Sequence, residues 1–420
     1  MTQSQEGPHK EDVAIVGGGV LGICSALALQ EAGRKVVIID RAEDGLKTSE
    51  GNAGAFAFTE VMPLAAPGIM LKAPKWLLDP LGPLAVPPSY ALKIAPWMLR
   101  FWRASWPDRY RASIQHQAEL MRLTQTALED LIKTVGGEEL MCREGQLQLF
   151  EGRRSFEADL PARKAKTEHG IRFEVLESHG AIADIQPGLS DQFTHAVFTP
   201  DWMNTIDPAA WLRHLTGIFL SRGGGFIEEE VQKLAPGEDG IALQCKGKRV
   251  LARQVVVCAG AWSHQLAKTI GDTIPLETER GYNTTLPQGA FDIRTHLTFS
   301  DHGFVASRNK GGVRIGGAVE LGGLKLPPNY KRSKALLEKA KSFLPGLEAE
   351  GGTEWMGYRP SLPDSLPVIS RASADPRVIY AFGHGHLGLT QSAGTGRLVA
   401  ELAQDRAPSI DLKPLSGTRF

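Results

Sequence analysis

The sequence predicts an α/β fold (α+β overall): a discontinuous domain wound from βαβ units, with a second domain of mainly antiparallel sheet plus helices inserted into it. Three observations predict it. "DVAIVGGGVLGICSALALQEAGRKVVIIDR", residues 12–41, reads as a buried strand, a glycine turn, a small-residue helix and a second buried strand within about 30 residues. Strand-to-glycine-turn segments return far downstream in "RQVVVCAGAW" and "VIYAFGHGHLGLT". Between them, "GQLQLF" and "VRIGGAVEL" alternate with period two, as antiparallel strands do.

In chain order, the first strand covers Val13 to Val16, the helix Leu21 to Ala32, and the next strand Lys35 to Asp40; Gly33 ends the helix. From Pro63 to Pro107, prolines and tryptophans crowd together and read as loops and short helices. A long amphipathic helix follows, with Leu120, Thr124, Ala127, Leu128 and Leu131 on one face. "DPAAWLRHLTGIFLSRGG" predicts a helix capped by Asp207, with Pro208 at its first position. A further helix carries Leu336, Leu337, Ala340, Phe343 and Leu344 at helical spacing and stops at Pro345. The last helix follows the glycine loop at 382–390. The expected division is 10–62, 204–272 and 352–420 for the first domain and 63–203 with 273–351 for the second. Residues 1–9 are expected to be disordered.

Composition narrows the function. At 420 residues and 42% hydrophobic, the chain can bury a large core. Lys plus Arg and Asp plus Glu are equal at 47 each, so no net field favours nucleic acid. Cys24, Cys142, Cys245 and Cys258 form no CxxC pair, Cys24 and Cys258 lie in apolar runs, and a reducing compartment is expected. "MTQSQEGPHKED" has no apolar core and is not a signal peptide. No run reaches the ~18 apolar residues of a membrane span.

Gly17, Gly19 and Gly22 spell G-x-G-x-x-G between strand and helix, and Asp40 ends the next strand. In that context the motif marks a Rossmann-like dinucleotide site. Gly17 permits the turn, Gly19 the approach of a pyrophosphate, and Gly22 close helix packing. Val20 and Leu21 open a helix whose N-terminus favours phosphate. Asp40, with Arg41 beside it, faces the ribose. Glycine-rich segments touching the cofactor from the middle and far end of the chain point to FAD rather than a nicotinamide.

"IVGGGVLGICSALALQEAG", "SEGNAGAF", "PKWLLDPLGPL", "VVVCAGAWS", "IPLETERGYN", "EWMGYRPSLPDSLPVI" and "YAFGHGHLGLT" occur in this order over about residues 12–400. Together they resemble the D-amino acid oxidase superfamily of FAD enzymes, its D-amino acid dehydrogenase branch, and within that the glyphosate oxidoreductase-like proteins. The resemblance implies that Thr48, Ser49, Asn52, Ala53 and Gly54 lie along the flavin. It implies that Val231 holds the adenine by its backbone, and that Ala259, Gly260 and Trp262 flank the pyrophosphate and ribityl chain. It also places Gly357 and the loop Gly385, His386, Leu387, Gly388, Leu389 and Thr390 on the cofactor. His384 and His386 could also suggest a metal, but H-x-H without a third ligand is a weak signal, and no metal is expected.

The implied reaction is oxidative deamination of a D-amino acid or related secondary amino acid, by hydride transfer from Cα to flavin N5. Such chemistry demands mainly a carboxylate anchor, which a planar guanidinium suits. Arg359 matches the family's anchor; its structural alternative is an ion pair with Asp364. Tyr282 could donate to the same carboxylate or close the pocket, Arg280 could face an acidic substrate, and His386 borders the flavin. Asn283 stands where glyphosate oxidoreductases carry a histidine, which argues against glyphosate itself. FAD is expected to be non-covalent, since 259–420 contains no Cys and no histidine lies near "SEGNAG". The electron acceptor is a quinone or a similar carrier. A sarcosine- or glycine-oxidase-like enzyme using O₂ is the alternative, and a flavin sensor the alternative of another class. The chain is expected in the cytoplasm. Residues 75–107, with Trp76, Trp97, Trp102 and Trp106 among Lys75, Arg100 and Arg103, could touch the inner membrane face; otherwise these aromatics cover the second domain's sheet.

Overall fold

The computed structural model describes residues 10–42, 47–70 and 84–420. The segment expected to be disordered, 1–9, lies outside them, as do 75–83 of the tryptophan-rich stretch and most of "PKWLLDPLGPL".

The first sheet has five parallel strands in the order Gly225–Glu228, Val36–Asp40, Lys10–Val16, Arg249–Val257 and Val378–Phe382. Antiparallel additions are Gly240–Cys245, Val231–Gly237 and Val368–Arg371. Parallel strands are covered on both faces, which is why these read as unbroken apolar runs. Val13, Ala14, Ile15, Ile38, Val256 and Ile379 have no exposed surface. Helix Val20–Glu31 packs on this sheet with Pro208–Ser221 and Ser392–Ala403. A Cβ at Gly396 would stand 2.6 Å from the Cys24 carbonyl oxygen, so glycine lets the last helix lie against the first. That contact holds the far-downstream glycine loop beside the N-terminal turn. Asp207 caps its helix as expected, accepting from the Ala210 N–H at 2.8 Å, a bond worth about 1 kcal/mol. Cys24 and Cys258 are buried, free thiols.

The second sheet runs Thr353–Ser361, Glu277–Leu286, Gly312–Leu321, Phe304–Asn309, His296–Phe299, Gln146–Phe150, His195–Thr199, Glu174–Leu176. It is antiparallel except where Gln146–Phe150 meets His296–Phe299 and Leu84–Ala85 meets Gly312–Leu321. Helix Lys331–Phe343 covers it with Leu336, Ala340 and Phe343. A small sheet of Ala55–Phe56, Met203–Thr205 and Met141–Cys142 lies apart from both.

Two stretches differ from expectation. Ala91–Ala104 is one helix running through Pro96, followed by the long helix Pro107–Val135. Thr353–Ser361, expected in the first domain, pairs along its length with Glu277–Leu286 in the second sheet. Its alternation is obscured by Gly357 and Pro360, and Pro360 is tolerated because this is an edge strand.

Candidate active site

A cavity of about 1540 Å³ is walled by both sheets. Of the cofactor and substrate residues expected from the sequence, Gly22, Gly54 and Arg280 lie off it; all the others line it.

At one end, Gly17 adopts φ 109°, and a Cβ there would stand 2.4 Å from the Cys258 carbonyl oxygen. Only glycine serves both demands. Gly22 acts from behind: its Cβ would stand 1.9 Å from the Gly17 oxygen, so the helix can start directly on the turn. The Gly18 N–H donates to Asp40 Oδ2 at 2.5 Å, and the Val20 N–H to Ser49 Oγ at 3.0 Å. Asp40 and Ser49 therefore fix the turn as well as lining the cavity. Val231, Ala259 and Gly260 continue the wall, and the Arg41 guanidinium lies 4.3 Å over the Trp262 ring. Thr48 Oγ1 donates to the Tyr358 carbonyl at 3.3 Å, tying this end to the second sheet.

In the middle, Asn52 Oδ1 accepts from the Gly54 N–H at 2.6 Å, while Gly54 packs on the Thr205 carbonyl behind the wall. Thr390 Oγ1 accepts from the Ala57 N–H at 3.0 Å and donates to the Ala55 carbonyl at 3.2 Å. The 52–57 turn and the 385–390 loop are thus one wall. Gly357 and Gly51 are both filled by the Trp355 ring, which a Cβ at either would strike.

At the far end, the register between Glu277–Leu286 and Gly312–Leu321 slips: Arg280 faces Glu320, but Tyr282 faces Gly317. Two residues, Ala318 and Val319, stand opposite Gly281. Ala318 takes φ 55°, rare for a non-glycine. Its carbonyl accepts from Arg359 Nη1 at 3.4 Å. The guanidinium lies over Gly281, where a Cβ would stand 2.4 Å from Nη2. Among the described residues no carboxylate forms an ion pair with Arg359. Asp364, the alternative partner suggested by its nearness in the chain, is bonded instead to Arg419 at 2.7 Å. Burial lowers the Arg359 pKa, opposed by the negative field of Glu279.

Arg280 is corrected by the structure. It has no exposed surface and pairs with Glu320 at 3.1 Å. Its other donors go to the carbonyls of Gly323, Leu326 and Pro327. Tyr282 lines the cavity, but its hydroxyl donates to Glu320 at 3.1 Å and accepts from the Asn329 N–H at 3.0 Å. Its one proton is committed within the protein, so it is a wall and not a donor to a ligand. His386 is exposed, and the space it faces is the cavity. Although its open surface gives onto the cavity, the protein enclosing the ring, then the Arg359 charge, pull its pKa down to about 4. His384 is buried, bonded through Nε2 to Thr395 Oγ1 at 2.9 Å, and pulled by burial to about 3.

Sequence reasoning missed Glu279, His296, Arg314 and Trp355, which also line the cavity. Glu279 stands directly opposite Arg359 in the register. His296 is buried beside Trp202, and burial pulls its pKa to about 4. Arg314 donates to Thr285 Oγ1 at 2.9 Å and to the Asn52 carbonyl. The signal for Glu279 was present: it alternates with Gly281 and Asn283 on one strand face.

The residues fit FAD. The cavity exceeds the ~300–1,000 Å³ of ordinary ligand pockets, as a dinucleotide plus substrate requires. Its glycine turn at Gly17 meets a helix N-terminus at one end, and the glycine loop at 385–390 closes the middle. The comparisons agree. The family model for FAD dependent oxidoreductases (DAO) matches residues 12–402. A D-amino-acid oxidase of Bradyrhizobium diazoefficiens is 35% identical over 98% of this chain and 100% of the relative. A D-amino acid dehydrogenase of Rhizobium johnstonii is 30% identical, over 97% and 99%. Glycine oxidase from Geobacillus kaustophilus shares the fold with a TM-score of 0.78 at 20% identity, over 98% and 99% of the two chains. A match over nearly the whole chain, with the expected turn and loop on one cavity, means that this protein belongs to the DAO family of FAD-dependent oxidoreductases.

Proposed function

We propose that the chain oxidatively deaminates a D-amino acid. The observation that carries this reading is Arg359: a guanidinium on the cavity wall, held by one long bond to Ala318 and paired with no carboxylate among the described residues. Such a group is suited to a bidentate substrate carboxylate. The full-length relatives named D-amino-acid oxidase and D-amino acid dehydrogenase support the same substrate class. Bound FAD supplies the two-electron acceptor for the substrate's Cα–H. The chain's own residues orient and desolvate. Arg359 fixes the carboxylate, Tyr282 and His386 wall the site, and the turns at 17–22, 48–54 and 385–390 hold the cofactor non-covalently. Arg359→Ala should raise KM by about 10²-fold, as expected for losing a charge-assisted bidentate anchor, with FAD still bound. An unchanged KM refutes the assignment.

Asn283 donates to the Gly51 carbonyl at 2.7 Å and offers no cation to a phosphonate, which supports excluding glyphosate. Relatives carry both oxidase and dehydrogenase names, and peroxide release on turnover distinguishes O₂ from a quinone as acceptor.

For location we favour the cytoplasm, since all four cysteines are free. No helix among the described residues is long and apolar enough to cross a membrane. Helix Ala91–Ala104 buries Ile94 and Trp97 but exposes Leu92, Leu99 and Trp102, with Lys93 and Arg100 beside them. That face suits shallow contact with anionic lipid. Co-sedimentation with anionic vesicles at low salt tests it, and no binding there would refute it.

A further inference from the structure

Glu279 faces two spaces. It lines the large cavity and also a second, small one of about 20 Å³, room for a single water. The small cavity is walled by Gln117 of the long helix, Ser361 and His384, and by Phe101 and the exposed Leu64. Gln117, Glu279 and His384 are 2%, 5% and 2% exposed. Each keeps a buried polar atom with no hydrogen-bond partner in the protein: Gln117 Oε1, Glu279 Oε2 and His384 Nδ1. Buried polar atoms left unsatisfied are costly, so such atoms normally hold a partner. Three of them around one water-sized void constitute a water site. Ser361 Oγ lies beside the Glu279 carboxylate without reaching full hydrogen-bond geometry.

We propose that Glu279 takes the proton that the substrate's α-ammonium must lose, and passes it to a water held between Gln117 and His384, on a path that opens at Leu64. This rests on the reading that an amino acid is oxidised in the large cavity. The N–H bond breaks and a carboxyl O–H bond forms, the electron pair staying on nitrogen. The carboxyl O–H then breaks as the water accepts the proton, which leaves to solvent. No electrons move in either step.

The surroundings favour this direction. Burial raises the Glu279 pKa, and Arg359 pulls it down. A substrate carboxylate on Arg359 cancels that pull, so Glu279 becomes a better acceptor as substrate binds. The charged and titratable groups facing Glu279 are Arg359 on the adjacent strand and His384 and His386 on the glycine loop. The long helix contributes only neutral Gln117. His384 and His386, held near 3 and 4, stay neutral at physiological pH and do not compete for the proton.

The test is the rate of flavin bleaching after anaerobic mixing of holoenzyme with a D-amino acid, from pH 6 to 10. Glu279→Gln should slow bleaching by about 10²-fold at pH 7. The deficit should close above the amine's own pKa, about 8–10, where no acceptor is needed. Gln117→Leu, which does not touch the large cavity, should slow bleaching several-fold with substrate Kd unchanged. If Glu279→Gln fails to bind FAD, Gln117→Leu decides alone. Wild-type rates in both variants overturn the proposal, as does a slowing that persists at high pH. A wild-type protein that no amino acid bleaches overturns the parent reading, and the relay with it.

Discussion

Replacing Gly281 with alanine isolates the positioning of Arg359. Gly281 has no left-handed φ, so the strand itself tolerates a Cβ. The new methyl would stand 2.4 Å from Nη2, 2.5 Å from Cζ and 2.8 Å from Nε of Arg359. Contact without repulsion needs about 3.5 Å, so the guanidinium must retreat by roughly 1 Å while the backbone stays. It is the mobile end of a long side chain, and the fold should survive. What is lost is alignment of a bidentate, charge-assisted anchor. Hydrogen bonds to charged groups contribute about 1.5–3 kcal/mol, or roughly 10- to 100-fold in substrate affinity. Anaerobic titration of the flavin spectrum gives Kd, and a thermal scan checks the fold. Expected is a Kd raised by that factor with Tm within a few degrees of wild type. A wild-type Kd in folded, FAD-loaded protein would refute the placement of Arg359.

Arg280→Ala should act on stability instead: it strands Glu320 in the interior, at a cost of about 3–5 kcal/mol. Tm should fall steeply with KM unchanged, and the reverse pattern would return Arg280 to the site. Gly22→Ala should prevent FAD loading, because its Cβ collides with the Gly17 carbonyl; a normally yellow variant would contradict that. His296 and His384 are held neutral at about 4 and about 3, below the ordinary 6.5. Between pH 6.5 and 4 the unfolded chain binds protons that the folded one refuses. Their stabilisation is therefore complete above pH 6.5 and lost on acidification, at about 1.4 kcal/mol per pH unit per histidine. His296→Gln should flatten the fall of Tm with acid over that window, and an unchanged slope would count against its burial as neutral imidazole.

What the sequence revealed follows from how the parts are built. The 17–22 turn with Asp40 lies in one contiguous βαβ unit, and its chemistry and spacing are local. The 385–390 loop is readable because glycine density after a buried strand has few other uses. The substrate end is assembled by cross-strand register, which spacing does not encode. Arg280 and Tyr282 share one face of their strand; Glu279, Gly281 and Asn283 share the other. Arg280 draws notice as a cation, yet Glu320 on the neighbouring strand claims it, together with the Tyr282 hydroxyl. The bulge at Ala318, which turns a carbonyl toward Arg359, follows Gly316 and Gly317, yet the positive φ falls on the alanine and not on either glycine, so spacing alone does not place it. The strand 353–361 is hard to place for a related reason: Gly357 and Pro360 break its visible alternation, and its partner strand lies some 75 residues upstream.

The most direct measurement is the visible spectrum of the purified protein under anaerobic conditions, before and after adding D-amino acids, their L-enantiomers and N-methylglycine. The expected result is a flavin spectrum that bleaches with a D-amino acid and does so only weakly in Arg359→Ala. A flavin spectrum left intact by every D-amino acid, or bleached equally well without Arg359, would contradict the assignment of this cavity to D-amino acid oxidation.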